Sequence, residues 1–385
     1  MNQTVILITE IVFWISIFLI GYSYFLYPLT LIIIEKKFRK PVKQDKNYYP
    51  SIGVLVPAYN EEKVIAKKIQ NILSIDYPSD KLEIWVGSDN SSDKTDEIVC
   101  SYNDKRIKLW VSADRVGKTG ILNRIATLIE TDIILFTDAN TFHNPDCLKA
   151  IARNFADPLI GGVAGHIKHV SEKIEEFGEN IYRKFESKQK YIEGSLHSTI
   201  SAFGGFYAIR KELFSPIPDN AYSNDDVLIP MNVIRKGYRV IYEPEAVSQE
   251  DMTGDVSREF LRRVRIGAGN FQAFFWLLDF LNPFIGWPSF CYISHKVTRW
   301  FSPFFLLFAY ISCGLLFYYK PVDMYRMIFA AGSIILLSGC LFKVIPLRIT
   351  RHIYYFLVMN VALTLGFFRY LKGIESAAWS RTERT

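Results

Sequence analysis

Ile134–Thr141 reads ILFTDANT, and about 90 residues later Ser223–Pro230 reads SNDDVLIP. The run Ile133–Phe136 is short and apolar at every position, the pattern of a strand buried on both faces. Asp138 therefore emerges at a strand end, the edge at which open α/β sheets bind ligands. A carboxylate there is placed to hold a divalent cation. A second carboxylate on a separate loop, Asp225 or Asp226, is placed to accept a proton from a substrate hydroxyl. Together they predict phosphate-dependent transfer chemistry.

Outward from this stretch, residues 42–269 alternate short β-branched runs with helical spacing, which predicts a mixed, mostly parallel α/β sheet with helices on both faces. SIGVLVPAYN places a strand at Ile52–Val56, ended by Pro57. Glu61–Leu73 has helical spacing, with Val64, Ile65, Ile69, Ile72 and Leu73 on one face. Further strands are expected at Leu82–Val86, Lys108–Val111 and Ile133–Phe136, and a helix at Val227–Lys236, where NDD also suits a cap. Polar loops follow three of the strands, at Ala58–Glu61, Ser88–Asp93 and Thr137–Thr141, and a doubly wound sheet would gather them at one edge. The GKT at Gly117–Thr119 matches the end of a phosphate-binding P-loop, but Ser112 stands where that motif requires Gly, so an ATPase reading is rejected. Arg115, Gly117 and Lys118 remain candidates for contact with a diphosphate ahead of a helix. His143 reads as a surface loop residue, and His166 and His169, three apart on an expected strand, fall on opposite faces and read as structural.

Seven strings in order resemble the family 2 glycosyltransferases of GT-A fold: VLVPAYNEE, VGSDNSSDKT, RVGKTGILN, FTDANT, GGFYAIRKELF, NDDVLIPMNVIRKGYRVIYEPEA and RRVRIGAGN. The resemblance covers about residues 50–270, and the apolar segments on either side are similar to those of hyaluronan, cellulose and poly-N-acetylglucosamine synthases. It implies that Pro57, Tyr59, Glu61 and Asp89 contact the nucleotide, that Lys118 and Asp138 meet the diphosphate, and that Asp138 and Asn140 hold Mg²⁺ or Mn²⁺. The last position of that metal motif is more often Asp than Asn. It implies that Asp226 is the catalytic base, with Asp225 where Glu often stands, and that Gly204 and Gly205 line the acceptor site, although a plain turn suits them too. Arg262 and Arg265 match the two basic positions of a motif that closes over donor and acceptor. Ile266 replaces its Trp, which argues against processive growth.

Composition places this domain at a membrane. The chain is 50% apolar and 15% aromatic, above the range of soluble domains, with the excess at both ends. Ile11–Ile34 holds 24 residues without a charge and reads as a spanning helix, with Lys36, Lys37, Arg39 and Lys40 after it. Basic residues behind the run and none before it argue against a cleaved signal peptide and put the domain after it in the cytoplasm. Trp300–Tyr319 has 20 uncharged residues, and Met327–Phe342 and Ile353–Phe368 have 16 each. Four crossings would return the tail to the side of the N-terminus, yet it carries Arg369, Lys372, Arg381 and Arg384, and its WSRTER is similar to the cytoplasmic terminus of some relatives; its side stays open. Residues 270–293 are apolar but interrupted by Asp279, Pro283, Gly286 and Pro288, which suits an interfacial segment. The net charge of +6 flanks the apolar runs, which points to membrane orientation and away from nucleic acid. Five cysteines at unpaired spacings fit a reducing compartment.

The reading is a multi-pass membrane protein with boundaries near residues 41, 269, 298 and 372 and a cytoplasmic domain that moves a sugar, with inversion, from a nucleotide sugar, expected UDP-linked, to a lipid-linked or glycan acceptor. The rivals are a processive synthase that extrudes its polymer and a catalytically silent subunit of an assembly complex.

Overall fold

The structure, a computed structural model, describes residues 2–170, 177–251, 256–320, 322–343 and 347–374. The chain forms two units: a sheet unit of residues 33–255 with 284–288, and a helical unit of residues 1–32, 256–283 and 289–372.

The sheet unit carries β1 (Ile52–Ala58), β2 (Leu82–Ser88), β3 (Ile107–Val111), β4 (Ile133–Thr137), β5 (Thr141–His143), β6 (Ile160–Val170), β7 (Phe206–Arg210) and β8 (Arg239–Asp251). They lie in the order β3-β2-β1-β4-β7-β6-β8-β5. The pairs among β1, β2, β3 and β4 are parallel, as is β6 with β8, whereas β7 runs antiparallel to both β4 and β6, and β5 to β8. The expected mixed, mostly parallel sheet is therefore present. Ile52, Val54 and Val56 of β1 and Leu82, Ile84 and Val86 of β2 share a core with Ile65, Ile69 and Ile72 of the helix Ile65–Leu73. The alternate positions face the other way. A Cβ at Gly87 would lie 2.3 Å from both Ile121 and Ile125, so only glycine lets the helix Gly117–Leu128 approach the sheet this closely. Helices thus cover both faces.

Two boundaries differ from expectation. β1 runs through Pro57 to Ala58 because the β1–β4 register ends at Leu55 with Phe136; beyond it Pro57 is an edge residue toward β4 and no ladder bond is lost there. The helix expected from Glu61 begins at Ile65. The Glu61 and Glu62 N–H groups instead donate to Thr95 Oγ1 at 2.8 Å and Asp93 Oδ2 at 3.1 Å, which ties the first loop to the second.

Among the described residues, four helices are long and apolar enough to cross a membrane: Gln3–Phe38, Ser302–Tyr319, Asp323–Cys340 and Ile349–Leu371. Leu7, Ile8, Trp14, Phe18, Leu307, Ile311, Met327, Ile334 and Ile349 are exposed, as lipid-facing side chains would be. Phe13, Ala309, Cys313, Leu316 and Tyr325 pack together inside, and Glu10 receives bonds from Lys320 Nζ at 2.6 Å and Tyr325 OH at 2.7 Å. The helix Val256–Trp276 runs across the boundary expected at 269/270 and then breaks into short turns at Leu278–Leu281 and Pro283–Ile285, as its interrupting Asp, Gly and Pro require. Trp379–Arg384, the segment similar to the cytoplasmic terminus of some relatives, lies outside the described residues.

Candidate active site

The sheet order decides which loops meet. Because β7 is antiparallel to β4, Phe206 pairs with Thr137, and the residues just before β7 arrive at the end of β4 that carries Asp138. Those residues are Gly204 and Gly205, the middle of a tight turn closed by Phe206 N–H donating to Phe203 O at 2.9 Å. A Cβ on Gly205 would lie 3.5 Å from Asp138 Oδ2, and one on Gly204 would lie 3.6 Å from Asp226 Oδ2. Adjacent Cα atoms are only about 3.8 Å apart. Asp138 and Asp226 therefore border one spot, from two loops far apart in sequence. The glycines form a tight turn that both carboxylates border.

Lys118, at the start of the helix Gly117–Leu128, binds this group together. Its Nζ lies 2.9 Å from Asp138 Oδ1 and 3.2 Å from Asp225 Oδ1, and donates to Gly204 O at 3.3 Å. Burial alone would lower the Lys118 ammonium, but Asp138 and Asp225 outweigh it and push it above its ordinary value, so it stays charged. Asp225 also accepts from Tyr207 OH at 3.0 Å. Burial, then Asp225 and Asp226, hold that phenol protonated far above its usual range, so it remains a donor. Asp225 and Asp226 open the helix Asp225–Arg235, where the helix N-terminus favours negative charge. Asn224 stands at the cap with φ 71° but makes no side-chain capping bond; its carbonyl accepts instead from Val227 and Leu228.

The nucleotide-side loops are stitched together. Asn60 and Asn90 turn the chain after β1 and β2 with φ of 54° and 56°. Asn60 N–H donates to Ser91 Oγ at 3.1 Å, and Ser92 N–H to Asn60 Oδ1 at 2.8 Å. Arg115 stacks its guanidinium 3.4 Å from the centre of the Tyr59 ring. Pro57 is buried within β1, and Glu61 sits half-buried beside Tyr59 in the loop after the strand.

One expectation, the exposure of His143, needs correction, and Asp89 and Asn140 are engaged by groups of the protein itself. Asp89, expected to face the nucleotide, is fully buried, and its oxygens accept from the N–H of Val116 at 2.7 Å and of Gly117 at 3.1 and 3.2 Å, with Arg115 Nε at 3.5 Å. It shapes the loop that presents Lys118. Asn140, expected beside Asp138 as a metal ligand, is buried and donates Nδ2–H to Glu250 Oε1 at 2.9 Å, because β5 and β8 pair next to it. His143 is not on the surface: it is buried in β5, bonded to Ser248 Oγ at 2.6 Å and in reach of Lys68 Nζ at 3.1 Å. Burial, then Lys68, hold its imidazole well below its usual value and so neutral. Arg262 and Arg265 lie on the helix Val256–Trp276 of the helical unit.

Asp138, about a third exposed at the strand end, suits a divalent cation that arrives with substrate phosphates, since such ions take one or two protein carboxylates and fill the remaining positions with phosphate and water. Among the described residues no cluster of three or more His, Cys, Asp or Glu forms a closed metal cage. The donor set thus fits a metal–diphosphate complex and does not fit a resident structural ion.

Residues 53–217 match the family model for Glycosyl transferase family 2. This segment is a family 2 glycosyltransferase domain. Over 205 residues, 52% of the chain, it is 31% identical to the beta-monoglucosyldiacylglycerol synthase of Trichormus variabilis, covering 43% of that protein. The chain thus spans less than half the length of this relative. It is 25% identical over 262 residues to the poly-beta-1,6-N-acetyl-D-glucosamine synthase of Staphylococcus aureus, covering 64% of the chain and 62% of the relative. The fold of the glycosyltransferase domain and its neighbouring helices is shared with the solved structure of the mannosyltransferase PcManGT from Pyrobaculum calidifontis in complex with GDP-Man and Mn²⁺, at a TM-score of 0.71 and 22% identity over 94% of this chain and 99% of that one.

Sequence reasoning misses Lys68 and Tyr207. For Lys68 a signal exists: it lies at i+3 from Ile65 and i+4 before Ile72, inside the apolar stripe of its helix, where a lysine is out of place.

Proposed function

We propose that the protein is a membrane-bound inverting glycosyltransferase that moves a sugar from a nucleoside diphosphate donor to a lipid-linked or glycan acceptor. The observation that carries this reading is that Asp138 and Asp226 flank adjacent glycines, with Lys118 linking Asp138 to Asp225. Asp226 takes the proton of an acceptor hydroxyl, whose oxygen attacks the anomeric carbon. The bond from that carbon to the diphosphate oxygen breaks, and the diphosphate leaves from the opposite face. Lys118 faces the charge that develops on the leaving group. A divalent cation, Mg²⁺ or Mn²⁺, held by Asp138 with help from the Asn140 side, would supply Lewis-acid neutralisation of the diphosphate. Tyr59 and Arg115 offer a flat platform for the base, and Arg262 and Arg265 keep the role that their match to the family's basic motif implies. The sheet unit faces the cytoplasm, where nucleotide sugars are made, and a UDP-linked donor remains the expectation.

Two features favour a lipid-linked acceptor and few sugars per turnover: Ile266 where polymerising relatives carry Trp, and a relative whose name specifies a diacylglycerol glucolipid. The alternative of a processive synthase rests on the likeness to the poly-N-acetylglucosamine enzyme. A ladder of long products would establish it. To test the central reading, the full chain in detergent is offered a panel of nucleotide sugars with Mn²⁺ or Mg²⁺ and nucleotide release is followed. Asp226→Asn is expected to bind donor normally and lose at least a hundredfold in turnover. Near-normal turnover in that variant would remove Asp226 from the role of base, and no release by the wild type with any donor would defeat the proposal and leave the silent-subunit reading.

A further inference from the structure

Lys68 is completely buried on the helix Ile65–Leu73, and among the described residues no carboxylate bonds to it. Its Nζ donates to Thr137 Oγ1 at 2.8 Å, to the Thr141 carbonyl, and to His143 Nε2 at 3.1 Å. An ammonium has three N–H donors and no acceptor. The three partners match it one for one. Since Nε2 accepts, the His143 proton sits on Nδ1 and is donated to Ser248 Oγ at 2.6 Å, which fixes the tautomer. Asn71, one turn along the same helix, clasps His143 from below: its Nδ2 donates to His143 O at 2.9 Å and its Oδ1 accepts the His143 N–H at 2.7 Å.

These acceptors all come from one segment, and they bracket the candidate cation site. Thr137 immediately precedes Asp138. Thr141 closes the turn, its N–H donating to Asp138 O at 3.2 Å. A rotation of the turn that displaces the Asp138 carboxylate must break a bond to a fully buried ammonium, out of reach of solvent. Removing an ammonium from water is costly, and an apolar side chain would fill this stripe more cheaply. The lysine is placed where it is unfavourable for the fold alone and useful for holding the turn.

We propose that Lys68 is a positioning residue: through Thr137, Thr141 and His143 it fixes the Asp138–Asn140 turn in the geometry that receives a metal–nucleoside diphosphate complex. The inference rests on the glycosyltransferase reading of that turn. It gives the helix Ile65–Leu73 a role in donor affinity without contact with the donor. Burial holds the Lys68 ammonium down to about 7 even with Asp138 pulling it up, which agrees with a group whose place is imposed by the surrounding structure.

The test measures Mn²⁺ binding by electron paramagnetic resonance, with UDP and with GDP present, on the full chain in detergent. Lys68→Met keeps the apolar stem and removes the donors. Ile69→Ala, a core truncation on the same helix, controls for general loosening. Partners that orient metal ligands typically contribute 10–100-fold to affinity, so Lys68→Met is expected to weaken the Mn²⁺–nucleotide complex by about that factor. Ile69→Ala should stay within about twofold of wild type, and metal-free nucleotide should bind both variants alike. Equal weakening in both variants, or unchanged affinity in Lys68→Met, overturns the proposal. Should Lys68→Met fail to fold, Thr137→Val removes one acceptor and leaves the ammonium; a several-fold loss supports the proposal and no loss overturns it. A wild type that binds no Mn²⁺–nucleotide complex defeats the glycosyltransferase reading itself, and this inference with it.

Discussion

Gly205→Ala is the sharpest test of how the site is built. A Cβ at that position would lie 2.5 Å from Thr141 Oγ1, where ordinary contact begins at 3.4 Å, so the two must part by about 1 Å. Neither can yield easily. Thr141 is fully buried, its carbonyl is bonded to Lys68, and its backbone is paired opposite Glu250. Overpacking of this kind costs about 1–3 kcal/mol. The relief is equally specific, because Thr141 Oγ1 has no hydrogen-bond partner among the described residues. Thr141→Ala therefore discards an unsatisfied hydroxyl and one methyl group, a loss of about 1 kcal/mol or less. In a domain of this size about 1 kcal/mol moves the melting temperature by roughly 2–4 °C. Gly205→Ala should lower the apparent melting temperature of the full chain in detergent by about 2–12 °C and slow nucleotide release. The double variant should recover at least half of both losses, a coupling of about 1–2 kcal/mol between the two positions. Additive shifts, or an unperturbed Gly205→Ala protein, would refute the placement of the glycine turn against β5 and Asp138.

Lys118→Met removes the cation that lies between Asp138 and Asp225 and, in the proposed reaction, a charged donor to the diphosphate; kcat/KM for donor should fall about 10–100-fold, at about 1.5–3 kcal/mol for a charge-assisted bond, and a loss under threefold would dismiss its role. Lys68 also predicts a pH dependence. Its folded value of about 7 lies below the roughly 10.4 of an unfolded lysine, so between these limits the unfolded chain binds more protons and stability rises with pH, levelling off below about 7 where both states are protonated. Melting followed from pH 7 to 9 should show wild type gaining on Lys68→Met, and parallel curves would contradict the burial of a lysine there. In the helical unit, a Cβ at Gly366 would lie 2.7 Å from backbone atoms of Gly267 and Ala268, so Gly366→Ala must force apart Arg348–Leu371 and Val256–Trp276, the helix of Arg262 and Arg265. Thermal stability in detergent should fall, whereas Gly332→Ala, with no atom closer than 3.9 Å, should melt as wild type. Equal behaviour of the two would rule out the close crossing.

Local sequence carried much of this molecule. Short uncharged runs declared β1 and β4, their ends declared polar loops, and long uncharged runs declared the four described helices fit to cross a membrane, because burial on both strand faces and lipid exposure each leave a pattern readable within one segment. Asp138 is expected at a strand end and is there. Which groups meet is another matter. The antiparallel entry of β7 brings Gly204 and Gly205 between Asp138 and Asp226, and the β5–β8 pairing turns Asn140 toward Glu250. The Gly117 loop, folding back over β2, takes the carboxylate of Asp89 for its own amides. Lys68 stands in plain view within an apolar stripe, yet its meaning needs the three acceptors of Thr137, Thr141 and His143 assembled above it. Segment type follows from short-range periodicity and side-chain chemistry, which any window of the chain contains. The pairing of polar groups follows from strand order and register, which are settled only when distant segments compete to satisfy the same donors and acceptors in the folded interior.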